Sequence, residues 1–367
     1  MATAILDRRE RSRSRLGIVD TDVHHGPIDK VAALGPHLSR THRERLADYG
    51  IGGNGDLYAM NGGLRGWRAD MMGGVPDRSV GAVTWDERTT RSQLLDGCGI
   101  EVAILTGGFI TGVSGLPDSD YGTALARAFN EWSRTEWLDA DPRYRLVAQV
   151  CTSDPEAAAK EIDRLAADLR VSGIVMPTSS PRTYGQRFYR PIHEACAHHG
   201  LPITLHLGGA PRQPTASGNP TYYIESRFAR PSNYAAHLTS FIFEGVFDQL
   251  PALKVCSIES GVNWVPGWMR RMDAAAAALG DQVPWLTARP SEYVVEHIRF
   301  SSQPLEDPET KEGLAPILED MRADRTLMYS SDYPHFDWDD PAESFKGVEG
   351  EMRERIFGEN ARATYRL

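Results

Sequence analysis

Eight short apolar runs enriched in β-branched residues recur along this chain, and most are separated by stretches with helical periodicity or strong helix formers. They occupy 17–24 (GIVDTDVH), 101–106 (EVAILT), 144–150 (YRLVAQV), 172–178 (SGIVMPT), 201–207 (LPITLHL), 253–260 (LKVCSIES), 297–302 (HIRFSS) and 326–332 (TLMYSSD). Helices are predicted at 120–138, 154–169, 189–200, 232–250 and 265–280, the second with Asp154 at its N-cap and Pro155 in its first turn. Strands alternating with helices imply a parallel sheet covered by helices, and eight of them predict an α/β fold closed as a (β/α)8 barrel of the TIM type. Such barrels run as one unit at this length, so 16–367 reads as a single domain.

In such barrels the chemistry sits at the C-terminal ends of the strands. Here strand one ends in Asp20, Asp22 and His24, strand five in His206, strand six in Glu259 and strand eight in Asp332, followed by His335. These residue types bind divalent metals and move protons. Strand residues two apart share a face, so Asp22 and His24 can address one ion, Asp20 lies one pleat deeper, and His25 has the opposite parity. D-x-D-x-H alone is a weak signal, since a polar strand-to-loop junction also caps helices or binds water. Glu259 is either a general base or acid, or a carboxylate bonded to the following turn. Asp337, Asp339 and Asp340 read as a solvated, helix-capping run.

Charge excludes one class of partner. A formal net charge of -10 with no basic stripe argues against nucleic acid. Residues 1–15, rich in arginine but followed by no apolar h-region, read as a flexible tail and not as a secretory signal. No run approaches the ~20 apolar residues that cross a bilayer, so no membrane association is expected. Cys98, Cys151, Cys196 and Cys256 are scattered through or beside apolar runs, as buried thiols in a reducing cytoplasm would be.

Between the first two strands about seventy-five residues replace a short βα connection. Its glycine-rich part carries Arg65, Trp67 and Arg68, and 50–90 reads as an insertion that serves as a lid over the barrel mouth, a flexible excursion, or an arm on a partner subunit.

The segments VDTDVHHGP, PITLHLGG, FDQLPALKVCSIESGVNWVPGWMRRMD, MYSSDYPHFDWDDP and IFGENARATYRL together resemble the amidohydrolase-related family that includes aminocarboxymuconate semialdehyde decarboxylase and the resorcylate-type decarboxylases. The resemblance implies that Asp22, His24, His206 and Asp332 hold one divalent ion. Two imidazoles and two carboxylates suit Mn2+ or Mg2+ about as well as Zn2+. Asp22 stands where the family often has the first histidine of H-x-H, a position that is acidic in the resorcylate-type enzymes. Glu259 stands where many of the decarboxylases have a histidine. The implied activity is non-oxidative decarboxylation of a small carboxylated aromatic or dienoic acid, with Glu259, His335 or Asp332 as proton donor and Arg65, Trp67 and Arg68 on the substrate. Its competitors are metal-dependent hydrolysis of a lactone, amide or C–C bond, for which an acidic Glu259 speaks, and a binding barrel without catalysis. The resemblance also implies a homodimer or homotetramer.

Overall fold

The computed structural model describes residues 17–27, 29–51, 65, 86–107, 109–208, 220–305 and 311–367. Most of the 50–90 insertion, the arginine-rich tail, Trp67 and Arg68 therefore lie outside the described residues.

The eight predicted runs form eight strands: β1 Ile18–Val23, β2 Ile100–Leu105, β3 Tyr144–Gln149, β4 Val171–Pro177, β5 Ile203–His206, β6 Val255–Ser257, β7 Ile298–Ser301 and β8 Leu327–Met328. Each pairs in parallel with the next in chain order. The ring is completed beyond the short β8. Thr21 N donates to Tyr329 O (3.1 Å), Asp332 N to Asp22 O (3.0 Å) and His24 N to Tyr333 O (2.8 Å).

Two apolar layers follow from the alternation of side chains across each strand. Val102 and Ile104 of β2, Val147, Val175, Cys256, Ile258 and Met328 fill the inside of the barrel. Ala361 and Tyr365 of the last helix, Asn360–Tyr365, pack against this inner cluster and close one end. The intervening positions, such as Leu105, Leu146, Ile174, Leu205 and Val255, face outward into the larger layer beneath the helices. Val19 belongs to the inner layer and Val23 to the outer, although a regular strand would put both on one face. The difference comes from an irregular ladder, in which Asp20 to Val23 of β1 spans only Ala103 to Leu105 of β2.

Helices α1 Ser119–Ser133, α2 Pro155–Leu165, α3 Arg190–His199, α4 Tyr223–Phe243, α5 Val265–Leu279, α6 Pro290–His297 and α7 Lys311–Asp320 lie in the connections from β2 onward. In α2 the Asp154 side chain accepts from Ala157 N and Pro155 occupies the first turn, as the sequence predicts. The prediction of 232–250 is corrected. Helix α4 begins nine residues earlier, runs through Pro231 and ends at Phe243, with a separate turn at Val246–Gln249. Proline inside a helix loses one backbone donor and clashes with the preceding turn, which is why the sequence reading stops at it. The earlier start is held by Glu225, whose Oε2 accepts from Thr221 N (2.9 Å) and Tyr222 N (2.7 Å). No helix among the described residues is long and apolar enough to cross a membrane.

Candidate metal centre

At the C-terminal end of the barrel, β1 and β5 bring Asp22, His24 and His206 together, with Asp332 added by the chain after β8. All four are at least 98 % buried. Donor atoms of Asp22, His24 and His206 lie within 4.8 Å of one another, as do those of His24, Asp332 and His335.

Each histidine is oriented from behind by a main-chain carbonyl. His24 Nδ1 donates to Gly107 O (2.6 Å) and His206 Nδ1 to Leu207 O (2.9 Å). A carbonyl only accepts, so the proton sits on Nδ1 and Nε2 is the inward-facing atom of both rings. His24 Nε2 lies 2.8 Å from Asp332 Oδ1 and 3.7 Å from Asp22 Oδ1, while His206 Nε2 lies 3.4 Å from Asp22 Oδ1. Burial opposes charge on His24, but Asp22 and Asp332 overcome it and raise its pKa to about 10. His206 is raised in the same way, burial opposing and Asp22 prevailing. Burial would raise Asp332 as well, yet the His335 and His24 rings hold it below the usual carboxylate range. The cluster therefore favours positive charge at its centre. Asp22 Oδ2 and His206 Nε2 are buried without a hydrogen-bond partner. This donor set fits a single divalent ion, with Asp22, His24, His206 and Asp332 able to hold it.

Supporting contacts set the ligands. Thr106 Oγ1 donates to Asp22 Oδ1 at 2.6 Å. Asp20 accepts from Asp22 N (3.2 Å) and Ser331 N (2.9 Å), and burial raises its pKa to about 7. It stands behind the cluster, as the sequence reading places it. Thr106→Val keeps the shape and removes the donor; by the usual cost of losing such a contact, affinity for Mn2+ should fall ~10–100-fold in a metal titration. His25 points away, into Phe129, Trp132 and Trp137, with Nε2 2.8 Å from Ser133 Oγ, and burial lowers its pKa to about 3.

Glu259 reaches the site by an unusual backbone. The alternation that turns Cys256 and Ile258 into the barrel would send the next residue outward. Instead Glu259 is left-handed, with φ 62°, and its Oε2 comes to 3.7 Å from His206 Nε2. Its other oxygen accepts from Arg230 Nη1 at 2.8 Å, so the carboxylate is bonded to helix α4 and not to the following turn. Asp332 is also left-handed (φ 61°), and His335 Nδ1 lies 2.8 Å from its Oδ1.

Three residues that the sequence reading missed line the same face of α4. Tyr223, Arg227 and Arg230 recur at i, i+4 and i+7. Arg227 pairs with Asp337, which Gln303 also contacts, its Nε2 donating to the Asp337 carbonyl at 3.2 Å. Asp337 is thus not a solvated cap, whereas Asp340 does accept from Ala342 N at 2.8 Å. The i, i+4, i+7 spacing and the capping Glu225 were the available signals. Arg65 is exposed and its backbone pairs with the start of α4, through Arg65 N to Thr221 O and Tyr223 N to Arg65 O, both 2.9 Å. It contacts Tyr222, with Nη1 3.4 Å from the hydroxyl, and has no described contact to the ligand cluster.

Comparison with known proteins places these features in context. The amidohydrolase family profile matches residues 108–367, which leaves Asp22 and His24 outside the matched segment. A gamma-resorcylate decarboxylase from Polaromonas sp. is 26 % identical over 322 residues, covering 81 % of this chain and 94 % of that protein. Another from Rhizobium sp. is 26 % identical over 298 residues, covering 77 % and 88 %. Among solved structures, 5-carboxyvanillate decarboxylase from Sphingomonas paucimobilis superposes with a TM-score of 0.69 at 22 % identity, covering 96 % of this chain and 99 % of that one. A dihydroxybenzoic acid decarboxylase from Polaromonas sp., with bound manganese and the inhibitor 2-nitroresorcinol, gives 0.65 at 21 % identity, covering 96 % and 97 %. These structural likenesses establish the barrel fold.

Proposed function

This chain belongs to the amidohydrolase family, and from that premise we propose that it is a metal-dependent, non-oxidative decarboxylase of a small carboxylated, hydroxylated aromatic acid. The observation that carries this reading is the Asp332–His335 pair, a buried carboxylate and imidazole 2.8 Å apart at the edge of the ligand cluster. Decarboxylation needs a proton at the carbon that loses CO2, and this pair can hold and deliver one. Hydrolysis needs a base for water, and Glu259 is already engaged by Arg230.

Manganese, the ion in the solved Polaromonas relative, suits two imidazoles and two carboxylates, and when bound it would orient the carboxylate and stabilise the charge that develops as CO2 departs. The chain's own residues do the rest. His335 supplies a proton to the ring carbon; the ring–carboxylate bond breaks, its electrons stay with the ring, and the carboxylate leaves as neutral CO2. Asp332 orients the imidazole through Nδ1. The buried setting keeps bulk water from competing for that proton. The family resemblance supports a homodimer or homotetramer and the free, buried thiols of Cys151, Cys196 and Cys256 support a cytoplasmic location, the assembly being open to light scattering.

The deciding experiment is a panel of carboxylated phenols, lactones and amides offered to manganese-loaded protein, with CO2 and hydrolysis products followed together. CO2 release from at least one hydroxylated aromatic acid is expected. Turnover confined to lactones or amides would replace this reading with hydrolysis.

A further inference from the structure

We propose that Arg230 is the substrate's anion contact: its guanidinium, positioned by Glu259 and Tyr223 beside the metal ligands, binds an anionic oxygen of the aromatic acid. The inference rests on the decarboxylase reading and adds to it a specificity residue on helix α4.

Three observations converge on it. The Arg230 side chain is only 11 % exposed, so its charge is committed to the barrel mouth and not to solvent. Nη1 bonds Glu259 Oε1 at 2.8 Å and Nη2 reaches the Tyr223 hydroxyl at 3.3 Å, but Nε is buried without a hydrogen-bond partner. A buried charged donor without an acceptor is unfavourable, and a ligand oxygen would relieve it. The Glu259 carboxylate that holds Arg230 has its other oxygen 3.7 Å from His206 Nε2, which puts the guanidinium one carboxylate away from the ligand cluster. An acid bound at the cluster is thus within reach of the unused Nε–H edge, and a planar fork suits a carboxylate or phenolate.

Charge balance points the same way. Asp22, Asp332, Glu259 and Asp337 place four carboxylates around the mouth, against Arg227, Arg230 and one divalent ion. Removing Arg230 makes the mouth one charge more negative toward an incoming anion, while a neutral phenol is indifferent to the change. The left-handed backbone of Glu259 is unfavourable for a residue with a Cβ, and it is what lets this carboxylate hold both the arginine and its place beside His206.

The test is calorimetric binding to manganese-loaded protein, read apart from turnover. The probes are 2,6-dihydroxybenzoate and 5-carboxyvanillate, with resorcinol and guaiacol as neutral counterparts. Arg230→Gln should weaken the acids ~10–100-fold, the size expected for a charge-assisted contact, and leave the phenols and the manganese content within about twofold. Arg230→Lys, which keeps the charge without the planar fork, should fall between and serves alone if the glutamine variant does not fold. Equal weakening of acids and phenols, loss of manganese, or unchanged acid binding would each overturn the assignment. If the substrate panel yields no decarboxylated acid, the decarboxylase reading falls and takes this inference with it; if the parent binds the acids and the variants do so equally well, only the inference falls.

Discussion

His206→Ala should leave a folded barrel that retains roughly a tenth or less of the parent's manganese and loses activity by at least roughly a hundredfold, since even contacts behind a metal ligand cost 10–100-fold. The imidazole is one of two neutral nitrogen donors in the cluster, and its Nε2 sits between Asp22 and Glu259 at 3.4 and 3.7 Å. Without it Asp22, His24 and Asp332 alone are left to hold the ion. Metal analysis of the purified variant, beside circular dichroism to establish folding, measures the outcome, and Asp332→Ala should behave alike. Full manganese content in both variants would end the assignment of the site. The barrel should survive because the inner layer of Val102, Ile104, Val147, Val175 and Met328 lies apart from the polar mouth.

His335→Asn separates proton handling from metal binding. An asparagine amide can still donate to Asp332, so the loop after β8 keeps its anchor, but it cannot give up a proton near neutral pH. Turnover should fall ~10²–10⁴-fold, the span of general acid–base catalysis, while KM and manganese content stay close to those of the parent. A kcat within a few-fold of the parent would remove His335 from the reaction and return the proton to Asp332 or Glu259.

The candidate ligand positions were legible because their signals are local. Asp22 and His24 are two apart at a strand end, His206 ends the run 201–207, and Asp332 ends 326–332. Strand periodicity and the rule that barrels place chemistry at strand ends marked these residues as candidates, and the family resemblance joined them into one ligand set. Even so, parity holds only over part of β1, since the irregular ladder between Asp20 and Val23 shifts the strand's face. The environment of Glu259 was not legible: its position could be read, but neither the left-handed residue that turns it back over the mouth nor its partner could. Arg227 and Arg230 were hidden because Pro231 reads as a helix boundary, and α4 continues through it. Asp337 looked like one more acid in a solvated run, since its partner Arg227 lies 110 residues away.

The sequence by itself determined the order of strands and helices, the barrel they close and the residue types at its mouth, because side-chain alternation and helix periodicity are properties of neighbouring residues. Only the tertiary structure decided which charges meet. Closure joins Thr21 to Tyr329 across 308 residues, and the backbone turn at Glu259 sets its carboxylate against Arg230 of α4. The electrostatics of a buried site depend on distances of a few ångströms between residues far apart in sequence, and no local pattern specifies those distances.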